Sequence, residues 1–183
     1  MTEVRERHAT DVRSKQDPLR ERYREAPAEA SISDRSRTRM RVEDDPFHGS
    51  VVPGSKDHGV EWRFGIHRAV GGDHDAPNPG DILCAALAAC LDSTIRIIAN
   101  RLGVTLKALT VDVSANVDVR GTLLVDKSVP VGFQSMKCHV SLEPAQGTDR
   151  KLVERLVAAA EHSCVNLQTL RSGVPVETSC TVA

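Results

Sequence analysis

Apolar and polar positions along the chain switch repeatedly between a period of two and a helical period. Leu109, Val111, Val113, Ala115, Val117 and Val119 alternate with Thr110, Asp112, Ser114, Asn116 and Asp118, which predicts a half-buried strand. Residues 131–142 predict another, with Met136, Cys138, Val140 and Leu142 on one face. Earlier in the chain, Val60, Trp62, Phe64 and Ile66 alternate with Glu61, Arg63 and His67. Arg35, Arg37, Arg39 and Arg41 alternate with Ser36, Thr38, Met40 and Val42, so a further strand is expected with one arginine-lined face. Val176, Thr178, Cys180 and Val182 predict a final strand. Asp44-Asp45-Pro46 and Pro53-Gly54 mark turns, and Gly71-Gly72 opens a loop.

The helical periods lie between these strands. Asn78 is a good N-cap, Pro79 suits the first helical position, Asp81 meets the helix dipole and Gly103 supplies a stop. A helix over residues 79–102 would be about 36 Å long at 1.5 Å per residue. Its first half, Ile82 through Leu91, is apolar all round and is expected to be buried on every side. A second helix should run from about Thr148, with Leu152, Val153, Leu156, Val157, Ala160 and Cys164 as its stripe, and a shorter segment from Val165 to Arg171 should stop at Gly173. The order is strands, long helix, strands, helix, strand, without a βαβ repeat. That order indicates an α+β fold with a mostly antiparallel sheet. Trp, Tyr and Phe make up only 3% of the residues, so the core must be built from Val, Leu, Ile and Ala. With one buried helix and few aromatics, an intertwined dimer is the natural way to enclose that core.

Charge sets the N-terminal part aside. Residues 1–41 carry eleven Lys and Arg against eight Asp and Glu, whereas the remainder carries thirteen against seventeen. Two polar helices are expected here, separated at Asp17-Pro18, with Pro27 ending the second. Val4, Val12, Leu19 and Tyr23 are too few to pack alone, so residues 1–35 read as a charged helical arm laid on another surface, and residues 36–183 as the folded domain. The net charge of −1 gives no general attraction to nucleic acid or to an anionic membrane. No uninterrupted apolar run approaches a bilayer-spanning length, and the first residues have no apolar signal segment, so a reducing cytoplasm is expected. The five cysteines have no paired spacing, which suits free or reactive thiols better than a disulfide framework.

Cys90 closes the apolar run of the first helix, and Cys164 ends the second at Glu161-His162-Ser163-Cys164. Two thiols on core-facing helices are what a thiol–disulfide redox centre requires. Two buried cysteines serving as small hydrophobes would produce the same pattern. Cys84 lies about 120° around the helix from Cys90 and reads as core, while Cys138 and Cys180 fall on apolar strand faces and read as packing. His162 and the Asp73-His74-Asp75 stretch have metal-friendly chemistry but no ligand spacing, and no Cys-x-x-Cys occurs. No metal or cofactor is expected.

With Gly71-Gly72, Pro77-Asn78-Pro79, the helix Leu83 to Cys90 written Leu-x-x-Ala-Leu-Ala-Ala-Cys, the valine-rich strand after it and the second cysteine at His162-Ser163-Cys164, the chain resembles the family of osmotically inducible protein C and the organic hydroperoxide resistance proteins. The resemblance covers about residues 36–182. It implies antiparallel sheets packed on two long helices in an intertwined homodimer. It also implies thiol-dependent reduction of hydrophobic hydroperoxides, with Cys90 as the peroxidatic thiol, Cys164 as the resolving one, and an external dithiol as reductant. Where better-known members carry a Glu after the helix-start proline, this chain has Gly80, with Asp81 next. Where they carry an activating Arg in a turn, it reads Glu43-Asp44-Asp45-Pro46-Phe47-His48-Gly49, and Val165 rather than Pro follows Cys164. The candidates left to activate the thiolate are Arg35, Arg37, Arg39 and Arg41, acting across the dimer, together with Asp81. The alternative is a non-catalytic dimer that binds a small apolar ligand at its interface, with structural or redox-sensing cysteines. A nucleic-acid role for the arginine strand finds no support in the net charge.

Overall fold

The computed structural model describes residues 11–39, 45–54 and 60–182. Its centre is α2 (Pro79–Leu102), and local chemistry sets both ends of this helix. The Asn78 side chain accepts the backbone N–H groups of Gly80 and Asp81, while the Asp81 carboxylate accepts the backbone N–H of Asn78. This capping box satisfies donors that no intrahelical carbonyl can reach. Gly103, with φ of 70°, closes the other end in the left-handed conformation that glycine adopts without strain.

From α2, a row at every fourth residue, Leu87, Leu91, Ile95 and Ala99, points into the protein and is almost wholly buried. Three elements cover that row. One is the antiparallel pair β4 (Leu106–Asn116) and β5 (Ser135–Pro144), whose register sets Val111 against Val140 and Val113 against Cys138. The others are α4 (Arg150–Ser163) and α5 (Val165–Ser172), which contribute Leu156, Ala160, Cys164 and Leu167. A single turn of helix, α3 (Val119–Thr122), follows β4 and takes Val119 out of the expected strand, because the Asp118 carboxylate caps it through the Arg120 N–H. The architecture is α+β, as the alternation of periods implies, with antiparallel sheets and helices packed on a core of aliphatic side chains.

A second sheet, β1 (Ser36–Arg39), β2 (His48–Pro53) and β3 (Trp62–Gly65), pairs antiparallel in the order β1-β2-β3. Its middle strand escapes a reading of the sequence because only Val51 and Val52 give it an apolar signal between two turns. The sheet joins the rest at a corner. There the Gly65 N–H donates to the Pro77 carbonyl at 3.1 Å, and the His74 N–H donates to the Ile66 carbonyl at 3.0 Å. Gly72 is required at this corner, since a Cβ on it would stand 2.2 Å from the Ile66 oxygen.

Five expectations need correction. Among the described residues of the arm, one α-helix, α1 (Val12–Glu25), runs through Pro18, where two helices separated at Asp17-Pro18 were expected. Contacts with the end of α2 hold the segment before the proline: the Val12 N–H reaches Asn100 Oδ1 at 2.9 Å, Arg13 grips the Arg101 carbonyl at 2.6 and 3.0 Å, and Asp17 pairs with Arg101 at 2.8 Å. The first half of α2 is not buried on every side, since Leu83, Ala85, Ala86 and Ala89 are exposed in the single chain. Residues 173–182 are exposed and form no strand, so Cys180 does not pack. Cys138 is also exposed, although it sits on the inward face of β5. By length and composition α2 itself would suit a bilayer, a property the count of uninterrupted apolar residues missed because Asp92 and Arg96 interrupt the run. Its buried row is nevertheless covered by protein. Arg41, Met40 and Val42 lie outside the described residues.

The corner also carries a charge cluster. His48 Nδ1 lies 2.9 and 3.0 Å from the two carboxylate oxygens of Asp45, and its Nε2 lies 2.9 Å from Asp75. A neutral imidazole has one N–H and cannot donate to both, so only the imidazolium satisfies this geometry. The hydrogen bond with Asp45 first, and then that with Asp75, raises the His48 pKa above its ordinary 6.5. The same bonds hold both carboxylates below 3.8, with Arg63 adding to the effect on Asp75. A raised histidine pKa stabilises the fold fully below the unfolded value and progressively less as pH rises through the folded one. The lowered carboxylate values contribute above 3.8 and are lost only in stronger acid. Thermal denaturation from about pH 6 to about pH 9 should therefore show stability falling as His48 loses its proton. His48→Gln should flatten that slope, and an identical slope in the variant would sink this account.

Candidate active site

Both cysteines of interest are positioned by the α2 core. Cys90 precedes Leu91 and follows Leu87 by three residues, so its side chain flanks the buried row and remains half-buried. Its carbonyl accepts the hydroxyls of Ser93 at 3.0 Å and Thr94 at 2.7 Å, which keeps those two polar side chains folded back on their own helix. Cys164 occupies the junction between α4 and α5. Its φ of −76° and ψ of 109° break the helical path for one residue. The break turns the Cys164 side chain inward, where it is fully buried.

The structure brings the two sulfurs together: Cys164 Sγ donates to Cys90 Sγ at 3.3 Å. A disulfide needs about 2.05 Å, so closure requires a movement of little more than an ångström. Burial, the largest cause, pushes the Cys164 thiol above its ordinary 9.0, and the neighbouring Cys90 sulfur pushes in the same direction. The backbone N–H groups of Leu167 and Asn166, at the start of α5, pull the other way. Cys164 thus remains a protonated donor at neutral pH, with Cys90 as its acceptor and the more accessible of the two. Burial also raises Cys84 and Cys138, the nearby Asp81 charge adding to the effect on Cys84.

A cavity of about 530 Å³ is lined by Leu87, Leu91, Leu167, Phe133, Met136 and Leu170, and by Cys138, but by neither Cys90 nor Cys164. Glu161 and Arg171, paired at 3.0 Å, also line it. Of its lining, Leu87, Leu91 and Leu167 belong to the cluster that encloses Cys164.

The other candidate residues lie elsewhere. Arg37 and Arg39 are on β1 and Arg35 immediately precedes it; all three are exposed, and none is within hydrogen-bond reach of either sulfur. Arg41 lies outside the described residues. Asp81 serves the capping box, about 13 Å along the helix from Cys90, and its negative charge opposes a nearby thiolate rather than favouring one. His74 Nε2 donates to the Asp81 carboxylate at 3.2 Å, and no cluster of metal-binding side chains occurs among the described residues. Gly80 has a steric reason. A Cβ there would stand 2.9 Å from Asn78 Oδ1 and 3.0 Å from the Phe133 ring, so a larger residue would disturb the cap.

Comparison with family models matches residues 72–179 to the OsmC-like protein model. The chain belongs to the OsmC-like protein family. An OsmC-like protein from Mycoplasma pneumoniae is similar in structure, with a TM-score of 0.61 at 11% identity, covering 78% of this chain and 90% of that one. An organic hydroperoxide resistance protein from Elizabethkingia anophelis has a TM-score of 0.59 at 15% identity, covering 79% and 91%. One from Legionella pneumophila has a TM-score of 0.53 at 22% identity, covering 78% and 92%. At these identities the likeness establishes the fold. No curated protein matches the sequence. The family match begins at Gly72 and so contains α2, both cysteines and the β4–β5 pair, but neither α1 nor the three-stranded sheet.

The sequence alone did not single out Asn166, whose side-chain amide donates to the Ala86 carbonyl of α2 at 2.9 Å. Its only sequence signal is its place two residues after Cys164, in the first turn of α5. The environments of the thiols predict an order of reactivity. A brief iodoacetamide pulse at neutral pH should label exposed Cys180 first and buried Cys164 last, as read by peptide mass spectrometry. Early labelling of Cys164 would contradict the closed packing described.

Proposed function

We propose that this OsmC-like protein reduces organic hydroperoxides through a Cys90–Cys164 dithiol. The reading rests on one observation, the 3.3 Å approach of the two sulfurs within an apolar cluster. The Cys90 thiolate attacks the peroxide O–O bond and becomes a sulfenic acid, while the departing alkoxide takes up a proton as the alcohol. The Cys164 thiol then condenses with the sulfenic acid, forming the disulfide and releasing water. An external dithiol restores both thiols and is itself oxidised to a disulfide. The division of labour follows the environments: the more accessible sulfur meets the peroxide, and the buried one stays protonated until it is needed. The aliphatic side chains that the cavity shares with the thiol cluster, Leu87, Leu91 and Leu167, support a preference for hydrophobic peroxides over hydrogen peroxide. The chemistry calls for no metal, and a reducing cytoplasm would keep the cycle primed.

OsmC-like proteins are typically dimeric, and we read this chain as an intertwined homodimer. A second copy would cover the exposed side of α2 around Leu83 and Ala86. It would also pair the free edge of β5, left open because residues 173–182 add no strand to it. Arg35, Arg37, Arg39 or Arg41 of such a copy remains the candidate source of a positive charge that the described residues of one chain do not bring to the thiols. Residues 1–35 form the arm and 36–183 the OsmC-like domain in this reading. The competing reading, a dimer that only binds an apolar ligand, draws on the same cavity and on that missing charge.

A short pulse of cumene hydroperoxide followed by mass spectrometry tests the proposal. The wild-type protein should form a Cys90–Cys164 disulfide, Cys164→Ser should accumulate a sulfenic acid at Cys90, and Cys90→Ser should do neither. Thiols that survive the pulse unchanged, together with a rise in melting temperature on adding apolar compounds, would favour the ligand-binding reading.

A further inference from the structure

The contact between the sulfurs requires more than apolar burial. Leu87, Leu91 and Leu167 hold α5 against α2, but apolar packing is non-directional and tolerates small slides of one helix along another. The sulfur separation is sensitive to slides of that size. Two directional contacts flank the break at Cys164. The Gln168 side chain donates to the Glu161 carbonyl at 2.8 Å and so ties α5 back to α4. That brace stays on the Cys164 side of the site. Asn166 makes the other contact, donating from Nδ2 to the Ala86 carbonyl at 2.9 Å, and of these two it is the one that reaches across to the helix that carries Cys90.

The choice of acceptor matters. Ala86 lies four residues before Cys90, so its carbonyl is the one that accepts the Cys90 backbone N–H in the helical ladder. Asn166 lies two residues after Cys164. A short closed circuit results, from Cys164 through Val165 to the Asn166 amide, across to Ala86, through one helical hydrogen bond to Cys90, and back across 3.3 Å of sulfur contact. The backbone N–H of Asn166 completes the arrangement by pointing toward the Cys164 sulfur.

We propose that Asn166 is a positioning residue, whose side-chain amide pins the start of α5 to the turn of α2 beneath Cys90 and holds the Cys164 sulfur within bonding reach. The proposal deepens the dithiol reading of the site and rests on it for its biological purpose, though its test requires no turnover. Removing the amide leaves the Ala86 carbonyl with its helical donor, so no buried acceptor is orphaned and the variants should fold. What is lost is the register between the two helices.

The decisive quantity is the effective concentration of Cys90 and Cys164, measured on the full chain equilibrated with oxidised and reduced glutathione. Asn166→Ala should lower it about fivefold, the change that one hydrogen bond of ordinary strength corresponds to. Asn166→Asp has nearly the same shape without the donor and should do the same, whereas Val165→Ala at the exposed neighbouring position should leave the value unchanged. In a hydroperoxide pulse, Asn166→Ala should form the Cys90 sulfenic acid at the wild-type rate and close the disulfide more slowly. Effective concentrations within twofold of wild type in both Asn166 variants would overturn the proposal, as would an equal loss in Val165→Ala. A wild-type protein that forms the disulfide in glutathione but ignores hydroperoxide would sink the peroxidase reading alone, and the glutathione ratios would still decide the role of Asn166.

Discussion

The packing of one row on α2 governs the rest of the structure. Leu87, Leu91, Ile95 and Ala99 recur every four residues and are covered by β4, α4 and α5. Burial of each large aliphatic side chain contributes about 1.5–3 kcal/mol. Together they orient the helix about its axis, and that orientation carries Cys90 to the edge of the covered face. The same burial draws in the junction at Cys164, because a one-residue interruption between α4 and α5 turns its side chain toward the row. The thiol pair is therefore a consequence of core packing, with a few polar contacts refining it.

Electrostatics then separates two chemically identical groups. Cys164 loses solvent altogether, and desolvation outweighs the pull of the N–H groups at the start of α5, so its proton is held. Cys90 keeps partial access and receives the hydrogen bond. Among the described residues, no arginine within hydrogen-bond reach of the sulfurs supplies a positive charge from the same chain. The Asp81 carboxylate is committed to the helix cap, and Phe133 fills the space beside Gly80 that a larger acidic residue would need. The cap and the thiol environment are thus linked through the first turn of a single helix.

Several features of the single chain point outward. The β4–β5 pair has a free edge, residues 173–182 run exposed with their valines uncovered, and Leu83, Ala85 and Ala86 face solvent on a helix whose composition suits complete burial. The three-stranded sheet joins the core at the corner built by Gly65, Gly72, His48 and Asp75. At the opposite end of α2, Arg13, Asp17 and Arg101 seat the arm by polar contacts, in keeping with a helix that has no buried residue. These surfaces share one physical property: an element with a strong intrinsic pattern, whose pattern is not fully satisfied within its own chain.

By itself, the sequence determined whatever depends on neighbours along the chain. Asn78, Pro79, Asp81 and Gly103 specify the ends of α2 because capping is local hydrogen bonding, and the alternating valines specify β4 because its period matches the pleat. The α+β class follows from the order of those periods, and the cysteine helix carries the family resemblance. Tertiary structure decided the remainder. It joined the arm into one helix across Pro18 through contacts with Asn100 and Arg101, added β2 by pairing on both of its edges, and left Val176 to Val182 without a partner strand. It also brought together Cys90 and Cys164, 74 positions apart in sequence, and set Asn166 on the Ala86 carbonyl. No local rule reaches such contacts, because the distance between two helices is fixed by how their side chains interlock and not by the residues that form either helix alone.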